Sequence, residues 1–194
     1  MRQLSRHPLG SAKMIHQEII IIFLFLSVQI MESKEIDFFK YYSEIQLVQP
    51  PLTFSCNKDT SLKFIKNIDT VLSNQFKPAM AQMACRIWPN ESFISIIYGF
   101  PSDDETPTLI TYTKNGKVID TLCLYREGCQ GDQSFSENST VFISSDKKII
   151  LQDTLVTLKL DDKGNQISGS ESTLVSEANY IVNNVGQIIK TSEK

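Results

Sequence analysis

Residues 108–121 read TLITYTKNGKVIDT, two runs of alternating apolar and polar residues on either side of Asn115-Gly116. An Asn-Gly pair between two such runs is the strongest short-range signal for a β-hairpin, with both central residues of the turn at positive φ. The stretch therefore predicts two antiparallel strands joined by a two-residue loop. It also sets the pattern for the runs around it, because a hairpin pairs neighbouring strands in chain order.

Runs rich in β-branched and aromatic residues lie before and after this hairpin, with turn residues between them. Together they predict an antiparallel β-meander of about eight strands over residues 92–192. The turns after the hairpin are expected at 145–147, 161–165 and 183–186. The runs are FISIIYGF, TLITYT, KVIDTLCLY, TVFISS, KKIILQD, LVTLKLD, NQISGSES, NYIVNN and QIIKTS.

The part of the chain before residue 92 has helical spacing instead. Apolar residues recur there at steps of three, which predicts a short amphipathic helix over 34–45, capped by Ser33, with these residues buried. They are Ile36, Phe39, Tyr42 and Ile45. An extended piece is expected at Leu52–Ser55 and a second helix from Thr60 to Phe76, and AMAQMAC, residues 79–85, is expected as a turn of helix or a loop.

One α+β domain follows from these patterns, with one or two short N-terminal helices packed on the meander. A chain of 194 residues with 41% hydrophobic and 21% charged positions suits one globular domain. We predict a signal peptide over 1–31 and a single domain over 32–194, helical in 34–91 and β-meander in 92–192.

The signal peptide is predicted from an apolar run, IIIIFLFLSVQIM, that spans residues 19–31. A transmembrane helix needs about 20 apolar residues, whereas a secretory signal needs roughly 7–15 behind a basic segment. We therefore expect cleavage, no stable membrane span afterwards, and a secreted or periplasmic protein. The cleavage site and the true start, Met1 or Met14, stay open, as does a buried helix in a cytosolic protein. The basic residues are Arg2, Arg6 and Lys13.

Cleavage would change both the charge and the histidine content. The net charge goes from −3 to near −5, because three basic residues and one acidic residue are removed, and this disfavours nucleic-acid partners. Both histidines, His7 and His16, lie in the leader. A mature chain without imidazole cannot use Ser-His-Asp or Cys-His catalysis, an HExxH metal site or a histidine pH sensor.

The four cysteines all lie in the predicted mature chain, and an even number in an exported protein is compatible with two disulfides. The short segment between Cys123 and Cys129 predicts that these two pair, which leaves Cys56 for Cys85; three connectivities and free buried thiols stay open. A zinc site is disfavoured, because the spacing has no C-x-x-C.

Other candidate sites have simpler interpretations. The acidic loop 102–105 and the DDKGN stretch 161–165 are predicted to be a solvated loop and a turn rather than Ca²⁺ sites. Trp88 is expected in the core, with a recognition surface as the alternative. No catalytic, cofactor-binding or metal-binding residues are predicted. A carboxylate pair for glycan hydrolysis leaves no spacing in sequence, so it stays open.

The hairpin at 113–121 and the terminal YIVNNVGQII, residues 180–189, carry a resemblance. With the export signal and the aromatic short helix, the chain resembles small uncharacterised exported β-meander proteins of Bacteroidetes-type bacteria. The resemblance implies bacterial origin, export and fold, and brings no activity with it.

The function expected from the sequence is that of a non-enzymatic structural or protein-binding module of the periplasm or cell exterior, without a cofactor. Its partner would be another envelope or secreted protein, recruited as an extended peptide at an exposed sheet edge. Two alternatives are a carboxylate-dependent hydrolase acting on glycans and an inhibitor or immunity-type protein.

Overall fold

The computed structural model describes residues 36–56, 70–81, 83–89, 92–100, 106–125 and 129–194. These residues are mainly β, which confirms the predicted antiparallel β-rich fold. The helices are α1 (36–44) and α2 (Thr70–Phe76). The strands are β1 (Leu52–Ser55), β2 (Met83–Ile87), β3 (Ile94–Phe100), β4 (Thr106–Tyr112), β5 (Val118–Cys123), β6 (Phe135–Ile143), β7 (Lys148–Thr157), β8 (Ser172–Val182) and β9 (Ile188–Glu193).

The strands form two antiparallel sheets, so the predicted single meander is wrong. One sheet has four strands in the order β2-β3-β4-β5, and the other has five in the order β1-β6-β7-β8-β9. Consecutive pairing holds within each sheet, as hairpins require. The exception is β1, which pairs with β6 through Leu52 opposite Ile143 and Ser55 opposite Thr140.

The four-stranded sheet is the middle layer of the molecule and is buried on both faces. The first six residues of β3 are all buried, which explains why its sequence is a continuous apolar run rather than an alternating one. One face packs on the five-stranded sheet, and the other packs on the two helices. The first core includes Cys85, Ile97, Leu109, Val141, Ile149 and Leu151, and the second includes Phe38, Tyr41, Ile45, Leu72, Ile96 and Tyr98.

Helix α1 buries half of the predicted face: Tyr42 and Ile45 are buried, as expected, but Ile36 and Phe39 are not. Phe38 and Tyr41 are fully buried, whereas Ile36 and Phe39 are 68% and 57% exposed. A step of three residues covers about 300° of a helix, so residues at that step drift around it by about 60° each time. Phe38, Tyr41 and Ile45 follow the true period and form the buried face.

The region 34–91, predicted as helical, contains two strands: β1, at the extended piece expected there, and β2, which was not expected. Met83–Ile87 is β2, although AMAQMAC contains strong helix formers. Backbone pairing with β3 and burial of Cys85 outweigh the local propensity. Most of the second predicted helix, residues 60–69, lies outside the described residues.

Strand β7 includes two runs that the sequence predicts as separate strands. KKIILQD and the beginning of LVTLKLD form the single strand Lys148–Thr157. NQISGSES is not a strand, because it belongs to the connection 158–171. The Asp161 carboxylate accepts backbone N–H groups of Lys163 and Asn165 there, at 2.9 and 2.8 Å, and forms the predicted turn.

Candidate binding surface at the loop end

Four hairpin loops of the chain share one backbone geometry. In each five-residue segment, the first residue donates its N–H to the carbonyl of the fifth, and the fourth donates its N–H to the carbonyl of the first. The loops have three residues, a type I turn followed by a residue at positive φ. The segments are 113–117, 144–148, 161–165 and 183–187.

Side chains reinforce these loops from inside. The first residue of each segment accepts the backbone N–H of the fifth through a side-chain oxygen, at 2.8–3.1 Å. These first residues are Thr113, Ser144, Asp161 and Asn183, the residue types that make such local bonds. The predicted hairpin at Asn115-Gly116 is confirmed, but its two-residue loop is wrong, because only Gly116 takes positive φ, at 82°.

Three of these loops meet at one end of the molecule, which we call the loop end: 113–117, 144–148 and 183–187. The Trp88 indole donates to the Ser144 carbonyl at 2.9 Å, and Lys147 Nζ donates to Asn184 Oδ1 at 3.2 Å. The buried Thr111 hydroxyl donates to the Gly186 carbonyl at 2.6 Å. These bonds join loops 144–148 and 183–187 to each other and to the four-stranded sheet, through Trp88 after β2 and through Thr111 in β4, the strand that leads into loop 113–117.

Gly186 shows how tightly this surface is assembled. Its φ is 87°, and a Cβ built there would meet Ile119 at 2.9 Å and Phe93 at 3.0 Å. A side chain at this position would therefore need both a strained backbone and displacement of the core beneath the loop.

The loop end is basic, although the chain as a whole is acidic. The three loops contain four lysines and a single acidic residue, Asp146. Asp146 lies 2.7 Å from Lys148 Nζ, and hydrogen bonds from Lys148 and Ser144 lower the pKa of this carboxyl. The Lys147 ammonium lies over the Phe93 ring, 5.8 Å from its centroid. The lysines are Lys114, Lys117, Lys147 and Lys148.

The opposite end, which we call the far end, comprises the connections 129–134 and 158–171. The two connections are joined by Leu158 N–H to the Ser134 carbonyl at 2.7 Å and by Gln166 to the Gln133 carbonyl at 3.1 Å. They contain four acidic residues and two lysines. The described charges are therefore segregated along the strand direction.

Trp88 belongs to the core, as predicted. It is buried among residues of both sheets. It directly follows β2 and has a positive φ of 48°. The indole supports the loop end from below and does not form part of its exposed surface.

The structure contains one disulfide, Cys56–Cys129, with Cα atoms 5.6 Å apart. The predicted pairs Cys123–Cys129 and Cys56–Cys85 are therefore wrong. Cys56 and Cys129 both lie beside β6, whereas Cys85 and Cys123 belong to the other sheet and are free thiols, one buried and one exposed. Burial raises the pKa of the Cys85 thiol to about 12.

A cleft of about 180 Å³ lies on the five-stranded sheet, between the disulfide and the far end. Ser139 and Asp153 face each other across β6 and β7 and are joined by a hydrogen bond of 2.5 Å. Glu137 lies two residues from Ser139 on the same face of β6. Glu137 and Asp153 are therefore diagonal neighbours on adjacent strands, a relation in which the two backbones are about 7–8 Å apart. Leu155 and Leu174 form the apolar part of the lining.

The sequence predicts peptide recruitment at exposed sheet edges. Several of these edges already have hydrogen-bond partners within the chain, in one case backbone groups and in the other a side chain. Residues 46–48 bond the outer edge of β2, with Val48 N–H on the Arg86 carbonyl at 2.9 Å. The Asp120 carboxylate accepts the edge N–H of Thr121 in β5 and that of Ile188 in β9, each at 2.8 Å. Asp120 thus connects the edges of the two sheets, a common way to block further strand pairing.

Within the part of the chain that the structure describes, no group of three or more His, Cys, Asp or Glu is placed to hold a metal ion. No helix among these residues is long and apolar enough to cross a membrane. The acidic loop 102–105 lies outside the described residues.

Comparison of the chain with protein-family models, curated proteins and solved structures finds no match. What the chain does must therefore be inferred from its own residues.

Proposed function

We propose that the chain is an exported, non-enzymatic protein-binding module that meets its partner through the loop end. The observation that carries the proposal is the placement of three hairpin loops from two sheets at one end of the molecule. Lys147 and Asn184 join two of these loops, and Thr111, in the strand that leads into the third, donates to the Gly186 carbonyl. Loops on a rigid β scaffold are common positions for binding residues. The partner is another protein of the envelope or the cell exterior.

Export is supported by the leader pattern and by the disulfide. Residues 1–31 have the charge and apolar pattern of a secretory signal. The Cys56–Cys129 bond suits an oxidising compartment, where such bonds persist. An inhibitor or immunity-type role would be a form of the same proposal, in which the partner is an enzyme that loses activity on binding.

The loop end is a better candidate than strand addition at a sheet edge. A peptide that added to β5 or β9 would have to displace the Asp120 carboxylate from edge N–H groups. The loop end already presents side chains outward, including Val185, which is 62% exposed. Binding there needs no opening of the fold.

The test is site-specific photocrosslinking in the producing cells. The photoreactive residue p-benzoylphenylalanine replaces Val185 at the loop end in one variant and the exposed Ile167 at the far end in a matched control. We expect Val185 to give a discrete adduct that Ile167 does not give, and the purified partner to bind the unmodified mature chain. Equal adducts from both positions, or none from Val185, would contradict the proposal.

A second candidate, a carboxylate-dependent hydrolase acting on glycans, is favoured by the cleft that holds Glu137 and Asp153. Glycosidases use carboxyl pairs separated by roughly 5–10 Å. The test is release of reducing ends from a panel of bacterial cell-wall and storage glycans. Turnover that is lost in Glu137→Gln and in Asp153→Asn, but kept in Asp162→Asn, would support this candidate and count against a non-enzymatic role.

A further inference from the structure

We infer that the loop end recognises an acidic segment of its protein partner. This inference rests on the proposed function and adds the chemistry of the partner. It follows from where the fold places the lysines of the hairpin loops.

The first step is the charge asymmetry of the molecule. Loops 113–117, 144–148 and 183–187 contain four lysines and one aspartate, in a chain whose net charge is −3. The far-end connections 129–134 and 158–171 contain four acidic residues and two lysines. The hairpins that follow even-numbered strands all turn at the same end, so the topology gathers positive charge there. A surface of one sign attracts a segment of the opposite sign and sets its orientation.

The second step is that the loops that carry these lysines have a fixed conformation. Each loop is closed by two backbone bonds and a side-chain bond, and Lys147 is held by Asn184 and lies over the Phe93 ring. Lysines on fixed loops lose less conformational freedom on binding than lysines on a mobile segment. The surface is therefore prepared for anionic groups before the partner arrives.

The third step separates a protein segment from other anionic partners. The loop end also contains the exposed apolar side chain of Val185 and the Asn184 amide, which accepts a hydrogen bond from Lys147, and this combination suits a mixed peptide surface. A bilayer-binding surface needs several large apolar side chains to insert, and among the three loops Val185 is the large exposed one. Nucleic acid requires many phosphate contacts, and four lysines on an acidic molecule provide few.

The experiment uses the mature full-length chain with fluorescent decapeptides of glutamate or glutamine, measured by anisotropy at low and physiological salt. We expect the glutamate peptide to bind, the glutamine peptide to bind at least about tenfold more weakly, and salt to weaken the former. The triple variant Lys114→Gln, Lys117→Gln, Lys148→Gln should lose about tenfold in affinity. The control Lys159→Gln, Lys163→Gln removes two positive charges at the far end and should lose less than about twofold.

Several results would overturn the inference. Equal losses in the two variants would mean that net charge alone attracts the peptide. Tighter binding of phosphatidylglycerol vesicles or heparin than of the glutamate peptide would assign the loop end to another class of partner. If Val185 crosslinks a partner whose binding is unaffected by salt and by the triple variant, the proposed function stands and the acidic segment is wrong. Failure of the Val185 crosslink would refute the proposed function itself. Thermal unfolding of each variant confirms that it is folded.

Discussion

Asp120 joins one edge of each sheet. Its two carboxylate oxygens accept backbone N–H groups from edge strands of different sheets, Thr121 in β5 and Ile188 in β9. We expect Asp120→Ala to lower the free energy of unfolding by about 1–3 kcal/mol, because the partly buried Ile188 N–H and the exposed Thr121 N–H lose a charged acceptor. The exposed Asp162→Ala should change it by less than about 0.5 kcal/mol. Urea unfolding of both variants tests this, and equal values would contradict the role of Asp120.

The buried tyrosine and thiol groups predict an alkaline limit to stability. Burial raises the pKa of Tyr41 from 10.0 to about 12, and that of Cys85 from 9.0 to about 12. Both groups stay protonated in the folded state at a pH where the unfolded chain already ionises. Their contribution to the free energy of unfolding is therefore complete below pH 9 and is lost between pH 9 and about pH 12. The slope is at most about 1.4 kcal/mol per pH unit for each group. In Cys85→Ala, the slope between pH 9 and pH 10 should become shallower, as measured by urea unfolding at each pH.

Single residues differ in how far the sequence predicts them. Trp88 lies in the core, as expected, because a large apolar side chain is usually buried in the fold. The predicted cysteine pairs were wrong, because a disulfide forms between cysteines that are close in the fold, whatever their separation in the sequence. Cys56 and Cys129 are 73 residues apart and meet only when β1 pairs with β6.

At the scale of elements, the hairpin loops provide the sharpest test of packing. Gly186 and Gly164 occupy the same loop position with φ of 87° and 81°, but only Gly186 lies against side chains. We expect Gly164→Ala to cost about 1–2 kcal/mol, the conformational penalty alone. Gly186→Ala should cost more, about 2–4 kcal/mol, because its Cβ must also displace Phe93 or Ile119. Equal unfolding free energies for the two variants would show that the loop end is not tightly packed on the core.

Elements defined by local chemistry were predicted well, and those defined by distant partners were not. The turns at 113–117, 144–148 and 183–187 are specified by their own Thr, Ser and Asn side chains. Strand β2 was not predicted, because its backbone partners belong to β3 and to residues 46–48. The cleft was equally inaccessible to sequence analysis, since Glu137 and Asp153 become neighbours only through the register of β6 and β7.

At the scale of the whole molecule, function depends on how the two sheets are stacked. The loop end exists because hairpins of both sheets turn in the same direction. Loops 144–148 and 183–187 of the five-stranded sheet contact each other at Lys147 and Asn184, and Thr111 of the other sheet donates to the Gly186 carbonyl. No sequence pattern specifies that alignment, because it arises from the apolar faces of the two sheets packing together. The charge segregation follows from it, since lysines spread over 35 positions of the chain reach one surface.

The Cys56–Cys129 bond links the strand β1, near the start of the five-stranded sheet, to the segment that leads into β6. In the chain-entropy model a loop of 73 residues contributes about 4 kcal/mol to stability, so the pair Cys56→Ala, Cys129→Ala should lose a similar amount in urea. Non-reducing peptide mapping should recover the linked Cys56 and Cys129 peptides. In the native protein an alkylating reagent should label Cys123, which is exposed, and reach buried Cys85 only after unfolding. A linked Cys123–Cys129 peptide, or four thiols in protein recovered from the cell exterior, would contradict the pairing, and the second result would also count against export.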